Sequence, residues 1–385
     1  MIMSNDSFLY QQNGGYFAQV AANLEEEAAA ELAALGATRL NPIPRGVYFT
    51  AEPPVLYRIV YQTRLCSRVL APLLHFNCHS TKYLYKTALA LPWEKLLGVA
   101  QSFMINARVS DSRVGHSRYA ALCLKDAIVD RFQQQFGGRP DVDRQQPDLV
   151  FDLHIRRNRA VISLDLAGES LHRRGYRRES GEAPIQETLA AALVDFSGWD
   201  GTRPLVDPFC GSGTILAEAL LRRAAIPPGR LRRRFGPANL PDFSPALWQR
   251  VQKEADGKMQ SLPAGLLAGS DQSKSAIRMA RRNLALLPQG DRVELRVSPF
   301  QALPPINNAV IVTNPPYGIR LGDQQEAAAL IRELGSFLKH HCTGSTACIY
   351  FGDPQLLKAI GLKPSRRKKL NNGGLEGVAA CYELY

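Results

Sequence analysis

The stretch Pro204-Leu-Val-Asp-Pro-Phe-Cys-Gly-Ser-Gly-Thr-Ile215 decides the fold. Apolar residues up to Val206 lead to an acidic one, Asp207, then to a glycine-rich turn and the helical pattern Ile215 to Arg223. An apolar strand that ends on a carboxylate and turns through glycines into a helix opens a βαβ unit. Open α/β sheets bind their ligands at that strand end. Gly211 and Gly213 permit a sharp turn and a close approach of ligand to backbone. Neither GxGxxG nor a GKS/GKT sequence is present, so dinucleotide and triphosphate readings fall away. The plain alternative is a tight strand-to-helix turn without a ligand.

Downstream, the apolar runs Leu266 to Gly269, Val293 to Val297, Ala309 to Val312 and Ala347 to Phe351 repeat the pattern, with helical segments between most of them. Apolar runs of this kind are strands buried on both faces of a parallel, doubly wound sheet. Residues 167–385 are therefore expected to form one α/β domain with a mostly parallel sheet. A basic insertion on its first helix, at about residues 222–263, contains a helix around Trp248.

Upstream the pattern is α+β. Ala21 to Leu35 is an Ala/Glu-rich helix closing at Gly36, and Ser117 to Phe136 is a helix ended by Gly137-Gly138. Gly46 to Thr50 and Phe103 to Arg108 read as strands. Leu149 to Ile155 and Arg159 to Asp165 read as a hairpin around Arg156-Arg157-Asn158. The expected division is an N-terminal ferredoxin-like α+β segment, 1–55, and a second module, 56–166. A basic segment, Leu171-His-Arg-Arg-Gly-Tyr-Arg-Arg178, joins them to the rest.

Two further motifs carry chemistry. Asp271-Gln272 follows the second strand, where a carboxylate can accept both hydroxyls of a ribose. The alternative is that Asp271 only caps the helix Ser273 to Leu286. Asn314-Pro315-Pro316-Tyr317 follows the strand Ala309 to Val312. Two prolines lock the backbone and remove two N–H donors. Their carbonyls, with the Asn314 side-chain oxygen, offer acceptors to one –NH2 group, and Tyr317 offers a flat face for a base. An exocyclic base amine is a poor nucleophile because its lone pair is conjugated into the ring. Gripping both its hydrogens favours a pyramidal nitrogen, and positioning then supplies much of the rate.

The bulk numbers agree with a nucleic-acid partner. The chain has 385 residues, 45% hydrophobic and 21% charged, with a formal charge of +12. Clustered positive charge favours a polyanion. The clusters are Arg173, Arg174, Arg177 and Arg178 at the junction, Arg232, Arg233 and Arg234 in the insertion, and Arg366, Arg367, Lys368 and Lys369 near the C-terminus. Met1 to Tyr10 has no basic region followed by an apolar stretch, and no apolar run spans a bilayer, so a cytoplasmic location and no membrane partner are expected. The seven cysteines contain no CxxC pair, and His75, Cys78 and His79 fit no common zinc spacing, so no metal is expected.

Asp207-Pro-Phe-Cys-Gly-Ser-Gly-Thr214 resembles motif I of class I methyltransferases, and Asn314 to Tyr317 resembles motif IV of their amino-group subset. Arg174-Gly-Tyr-Arg177 with Ala183-Pro-Ile-Gln-Glu-Thr-Leu-Ala190 is similar to the segment leading into these domains in THUMP-containing RNA guanine-N2 methyltransferases. Ser117-Arg-Tyr-Ala120, Lys125 to Asp130, and Val142-Asp-Arg144 with Pro147-Asp148 are similar to the THUMP domain itself. The resemblance covers nearly the whole chain, and the nearest pattern is the guanine-N2 half of the ribosomal RNA large-subunit K/L enzymes.

That resemblance implies a Rossmann-like domain with a seven-stranded sheet behind a THUMP RNA-binding region, and S-adenosylmethionine as cofactor. It also implies that Pro184, Gln186 and Thr188 hold the cofactor's methionine part, alongside Asp207, Phe209, Gly211, Gly213, Thr214, Asp271 and Gln272. The implied target is a guanosine in domain V of 23S rRNA, as naked RNA or in an assembling large subunit. The family's fused second half, which makes N7-methylguanosine, is missing from this sequence, so one activity is expected. The family's usual Asp after the third strand, which holds the cofactor adenine, is replaced by Arg296-Val-Ser-Pro-Phe300, leaving Ser298 or a carbonyl for that role. Competing readings are a tRNA guanine-N2 enzyme, a DNA adenine-N6 or cytosine-N4 enzyme, and a non-catalytic RNA-binding protein.

Overall fold

The computed structural model describes residues 7–181, 184–316 and 323–385. Its N-terminal strands are β1 (Gly15–Val20), β2 (Thr38–Ile43), β3 (Gly46–Thr50), β4 (Cys66–Asn77), β5 (Ser102–Ser110), β6 (Asp141–Val142), β7 (Leu149–Arg156) and β8 (Arg159–Asp165). They form one eight-stranded sheet in the order β2-β3-β1-β4-β8-β7-β5-β6. β4 belongs to both halves. Its first residues pair with β1 and its later ones with β8, and Leu70 faces Phe17 on one side and Asp165 on the other. No break in the sheet separates a first module from a second.

The helix Ser117–Phe136 and the strands β3 and β8 have the bounds that their sequence implies. Gly137, with φ 68°, donates its N–H to the Gln133 carbonyl and ends the helix. The first Ala/Glu-rich helix starts later than its composition implies, at Glu25, because Asn23 adopts a left-handed φ of 68° just before it. β4 carries Pro72, and its pairing with β8 shifts register between Pro72 and Leu74. Proline in a strand is confined to such irregularities because it cannot donate to the ladder.

The second sheet holds β9 (Leu205–Asp207), β10 (Leu267–Asp271), β11 (Glu294–Val297), β12 (Val310–Thr313), β13 (Thr346–Phe351), β14 (Arg366–Asn372) and β15 (Leu375–Glu383), in the order β11-β10-β9-β12-β13-β15-β14. Only β15 runs against its neighbours. Alternate residues feed opposite cores. Val310, Val312, Cys348 and Tyr350 join one, while Ile311, Ala347, Ile349 and Phe351 join the other. Burial on both faces is why these strands read as unbroken apolar runs. β14 and β15 form a hairpin through Gly373 and Gly374, at φ 61° and 102°. The C-terminal basic cluster is thus a sheet edge, where lysine and arginine discourage pairing with another chain.

The insertion between β9's helix and β10 faces the N-terminal region. Its helix Pro245–Asp256 lies on the helix Pro53–Gln62. The Trp248 ring meets Tyr57 at 5.6 Å, Tyr61 at 5.9 Å and Phe235 at 4.7 Å. Tyr10 and Tyr61 donate hydroxyls to Asp242 and Asp256 of the insertion, each at 2.9 Å. Among the described residues, no helix is long and apolar enough to cross a membrane.

Candidate active site

The strand order reverses between β9 and β12, so the carboxyl ends of these neighbours open a crevice of the kind that binds ligands in doubly wound sheets. Asp207 ends β9 and is buried. Its Oδ1 accepts from Thr313 Oγ1 at 2.6 Å and from the Phe209 N–H at 3.1 Å. Burial pushes its carboxyl up to about 7; the two hydrogen bonds pull the other way, and the Asp271 charge adds to the rise.

Asp271 ends the next strand, half-buried. Its Oδ2 accepts from the Gly211 N–H at 3.1 Å and its Oδ1 from the Ser273 N–H at 2.8 Å. Each oxygen keeps a lone pair for a further donor. The helix-cap alternative for Asp271 does not hold. Ser273 is the cap of Lys274–Leu284, its Oγ accepting from the Ala276 N–H at 3.3 Å. Gln272 is exposed beside it.

The glycine turn leaves room. Gly211 has φ 51°, and a Cβ built on it would meet nothing within 4 Å among the described residues. Gly213, at φ 83°, lies against the next helix, where a Cβ would come 3.2 Å from Ala280 Cβ. Phe209 is half-buried, its ring 5.1 Å from that of Phe300. Thr214, the first residue of the following helix, is buried. Ser298 donates its Oγ–H to the Pro299 carbonyl at 3.0 Å and its N–H to the Asp271 carbonyl at 3.0 Å, tying the ends of β10 and β11.

Asn314 follows β12 directly. Its Oδ1 is buried and has no hydrogen-bond partner among the described residues. Leaving such an acceptor unpaired costs about 1–3 kcal/mol, which a donor on a ligand would recover. Pro315 is buried and Pro316 exposed, while Tyr317 lies outside the described residues.

Pro184 and Gln186 are held from the β14–β15 hairpin. Asn372 Oδ1 accepts from the Gln186 N–H at 3.0 Å, and its Nδ2 donates to the Pro184 carbonyl at 3.4 Å. Thr188 is buried in the helix Glu187–Phe196. Burial pushes the Glu187 carboxyl up to about 7, outweighing the Arg177 guanidinium 3.2 Å away. Asn283 accepts from the Arg178 N–H at 3.1 Å and donates Nδ2 to the Ser212 carbonyl at 3.0 Å, linking the junction to the glycine turn.

The sequence reading missed Thr313, Asn283 and Asn372. A signal existed for Asn283, a polar residue on the buried stripe that includes Ala276, Ile277 and Ala280.

The arginine clusters divide. Arg174 is buried and donates to the carbonyls of Thr63 at 3.3 Å and Leu171 at 2.6 Å, with Glu218 3.6 Å away. Arg177 donates to the Ile185 carbonyl at 2.7 Å and pairs with Glu187. Arg232 donates to the carbonyls of Ser170 at 3.0 Å and Glu169 at 2.9 Å. These three hold the junction together; their donors are spent inside the protein rather than on phosphates. Arg366 lies over the Phe196 ring at 5.2 Å, and Lys368 pairs with Glu27. Arg173, Arg178, Arg233, Arg234, Arg367 and Lys369 are exposed.

Comparison with known proteins places this geometry. A family model described as RMKL-like, methyltransferase domain matches residues 174–380. A THUMP domain model matches 78–165, and an RlmL ferredoxin-like domain model matches 15–70. The chain is 39% identical over 372 residues to the putative RNA methyltransferase slr0064 of Synechocystis sp., covering 96% of this chain and 97% of that one. It is 40% identical over 374 residues to the ribosomal RNA large subunit methyltransferase K/L of Syntrophotalea carbinolica, covering 94% of this chain but 52% of that one. The chain therefore spans about half the length of that relative. Among solved structures, SMU.472, a putative methyltransferase complexed with SAH, matches with a TM-score of 0.85 at 28% identity, over 97% of this chain and 98% of that one. The chain belongs to the RMKL-like methyltransferase family, with a THUMP domain ahead of the catalytic one.

Proposed function

We propose that this chain transfers a methyl group from S-adenosylmethionine to the exocyclic N2 amine of a guanosine in domain V of 23S rRNA. The observation that carries the reading is the buried, unpaired Oδ1 of Asn314 at the switch point of the sheet. It is an acceptor waiting for a donor, at the strand end where this fold places its ligands. The names of the relatives support RNA as the substrate and the large-subunit ribosomal RNA in particular. The THUMP domain supports RNA as well.

The residues present fit the donor molecule. The open space over Gly211 admits it close to the backbone, and the free lone pairs of Asp271 suit ribose hydroxyls. When bound, S-adenosylmethionine supplies an electrophilic methyl with a good leaving group. The chain's own residues do the positioning. Asn314 Oδ1 and the Pro315 carbonyl accept the two amine hydrogens and turn the nitrogen lone pair toward the methyl. Consecutive prolines keep competing N–H donors away. A guanosine within folded RNA must first be swung out of its stack. Asp207 and Thr313 hold the two strand ends at a set spacing. The substrate is naked 23S rRNA or a partly assembled large subunit in the cytoplasm.

The test is incubation with labelled S-adenosylmethionine and total RNA from a strain lacking the gene, followed by nucleoside analysis. N2-methylguanosine in 23S rRNA is the expected product. Label only in tRNA, label only in added DNA, or label in no substrate would each overturn this reading.

A further inference from the structure

Two buried asparagines, Asn283 and Asn372, come from opposite ends of the catalytic sheet and act on one segment. A side-chain amide has two N–H donors and a carbonyl with two lone pairs to satisfy. Asn283, on the helix Lys274–Leu284, spends all of them on backbone. Its Oδ1 accepts from the N–H groups of Arg178 at 3.1 Å and Glu179 at 3.3 Å, and its Nδ2 donates to the carbonyls of Glu179 at 2.9 Å and Ser212 at 3.0 Å. One side chain thus bonds three times to the junction segment and once to the glycine turn. Asn372, at the end of β14, accepts from the Gln186 N–H at 3.0 Å and donates to the Pro184 carbonyl at 3.4 Å. Its neighbour Gly373 closes on the same place, where a Cβ would lie 3.4 Å from Gln186 Nε2.

Arg178, Glu179, Pro184, Ile185 and Gln186 belong to no helix or strand. The two amides stand in for a strand partner, because an amide side chain presents donor and acceptor side by side as a peptide group does. The helix that carries Asn283 also seats the glycine turn. A Cβ on Gly213 would come 3.2 Å from Ala280 Cβ, and Ala280 lies one helical turn before Asn283 on the same buried face. Packing holds the turn and hydrogen bonds hold the segment, both from one helix. The segment is thus tied at both described ends: to that helix at Arg178 and Glu179, and to the β14–β15 hairpin at Pro184 and Gln186.

A binding segment that sits in place only a fraction of the time lowers the apparent affinity by that fraction. We propose that Asn283 and Asn372 are positioning residues for the methionine part of S-adenosylmethionine. They hold the segment that leads to Pro184, Gln186 and Thr188 against the glycine turn, and so keep that part of the site assembled before the cofactor arrives. Asn283 acts through the segment and not on the ligand, since its donors and lone pairs are spent inside the protein. This rests on the expectation that Pro184, Gln186 and Thr188 hold the methionine part, and it adds what holds them.

The test measures, by calorimetry on the full chain, the affinities for S-adenosylhomocysteine and for 5′-methylthioadenosine. Both carry adenine, ribose and sulfur, but only the first has the amino-acid part. Asn283→Ala should weaken S-adenosylhomocysteine binding about tenfold or more, and Asn372→Ala about threefold to tenfold, on the scale of one to a few hydrogen bonds. Affinity for 5′-methylthioadenosine should stay within about twofold in both variants. Asn372→Ala, at the tip of an edge hairpin, decides the matter if Asn283→Ala does not fold. Asn239→Ala, which removes an amide bond to the Asp148 carbonyl far from this segment, should change neither affinity. Equal losses for the two ligands, the mark of a general loosening, would overturn the proposal, as would an unchanged S-adenosylhomocysteine affinity in Asn372→Ala. The variant Q186A/T188V checks the expectation underneath. A selective loss there with none in the asparagine variants sinks the proposal alone, whereas no selective loss there sinks the expectation and the proposal with it.

Discussion

The carboxyl edge of the catalytic sheet and the arginine-rich junction behind it are equally polar in sequence, yet they leave opposite things free. At the sheet edge, two groups singled out for chemistry are available among the described residues: Asn314 Oδ1 has no partner, and nothing fills the space over Gly211. At the junction, Arg174, Arg177 and Arg232 are spent on internal carbonyls and buried carboxylates. Arg113, Arg118, Arg144 and Arg157, scattered among ordinary residues, are exposed instead. A motif fixes its own geometry, because its spacing dictates a turn. A charge cluster does not, because a long flexible side chain can point inward or outward from the same backbone.

That contrast can be broken by substitution. Arg174→Ala should be costliest for the fold, at about 3–5 kcal/mol, because it takes the guanidinium from beside the buried Glu218 carboxylate and leaves it only the Tyr176 hydroxyl. Denaturant unfolding checks this, and a loss confined to RNA affinity would return Arg174 to the RNA surface. Asn314→Ala should lower single-turnover transfer by about a hundredfold to a thousandfold, the usual scale for one preorganised hydrogen-bonding group, with cofactor affinity and melting temperature kept. Retained activity would remove Asn314 from the chemistry.

Asp207→Asn probes the edge through pH. The Asp207 carboxyl lies at about 7 in the folded chain, above its unfolded value near 4. Its contribution to stability is therefore full below about pH 4 and is lost as pH rises through 7. Unfolding free energies of the parent from urea titrations should fall between about pH 4 and 7, by up to about 1.4 kcal/mol per pH unit for one such group, and the Asn variant should flatten part of that fall. Glu187, also at about 7, contributes with the same sign, so Glu187→Gln should flatten more of it.

Gly211→Ala should cost only about 1 kcal/mol of stability through its positive φ, while weakening S-adenosylmethionine binding measured by calorimetry. Smallest of all, Arg233→Gln and Arg234→Gln should leave stability within about 0.5 kcal/mol. An unfolding transition moved further than that would place them with Arg232 inside the junction.

The parts of the fold that were legible share one property: their pattern is local. The strand, glycine turn and helix around Asp207 sit within a dozen residues, and the helix Ser117–Phe136 has its stop at Gly137. β4 was hidden because Pro72 interrupts its alternation at the point where its register shifts. β14 was hidden because an edge strand bearing Arg366 to Lys369 looks like a solvated charge run. Thr313 escaped for a different reason. Its partner Asp207 is 106 positions away, and nothing local marks a threonine as the donor to a buried carboxylate. Asn372 is similar, 186 positions from the Gln186 N–H that it receives.

β4 deserves a reading as a beam. Its twelve residues span about 40 Å. The aromatic seam ties the helix just before it to the insertion of the catalytic domain, and β5 lies near the far edge of the same sheet. A shared strand leaves no hinge between them. A displacement of one half of the sheet therefore reaches the other through backbone hydrogen bonds to a common strand rather than through a linker.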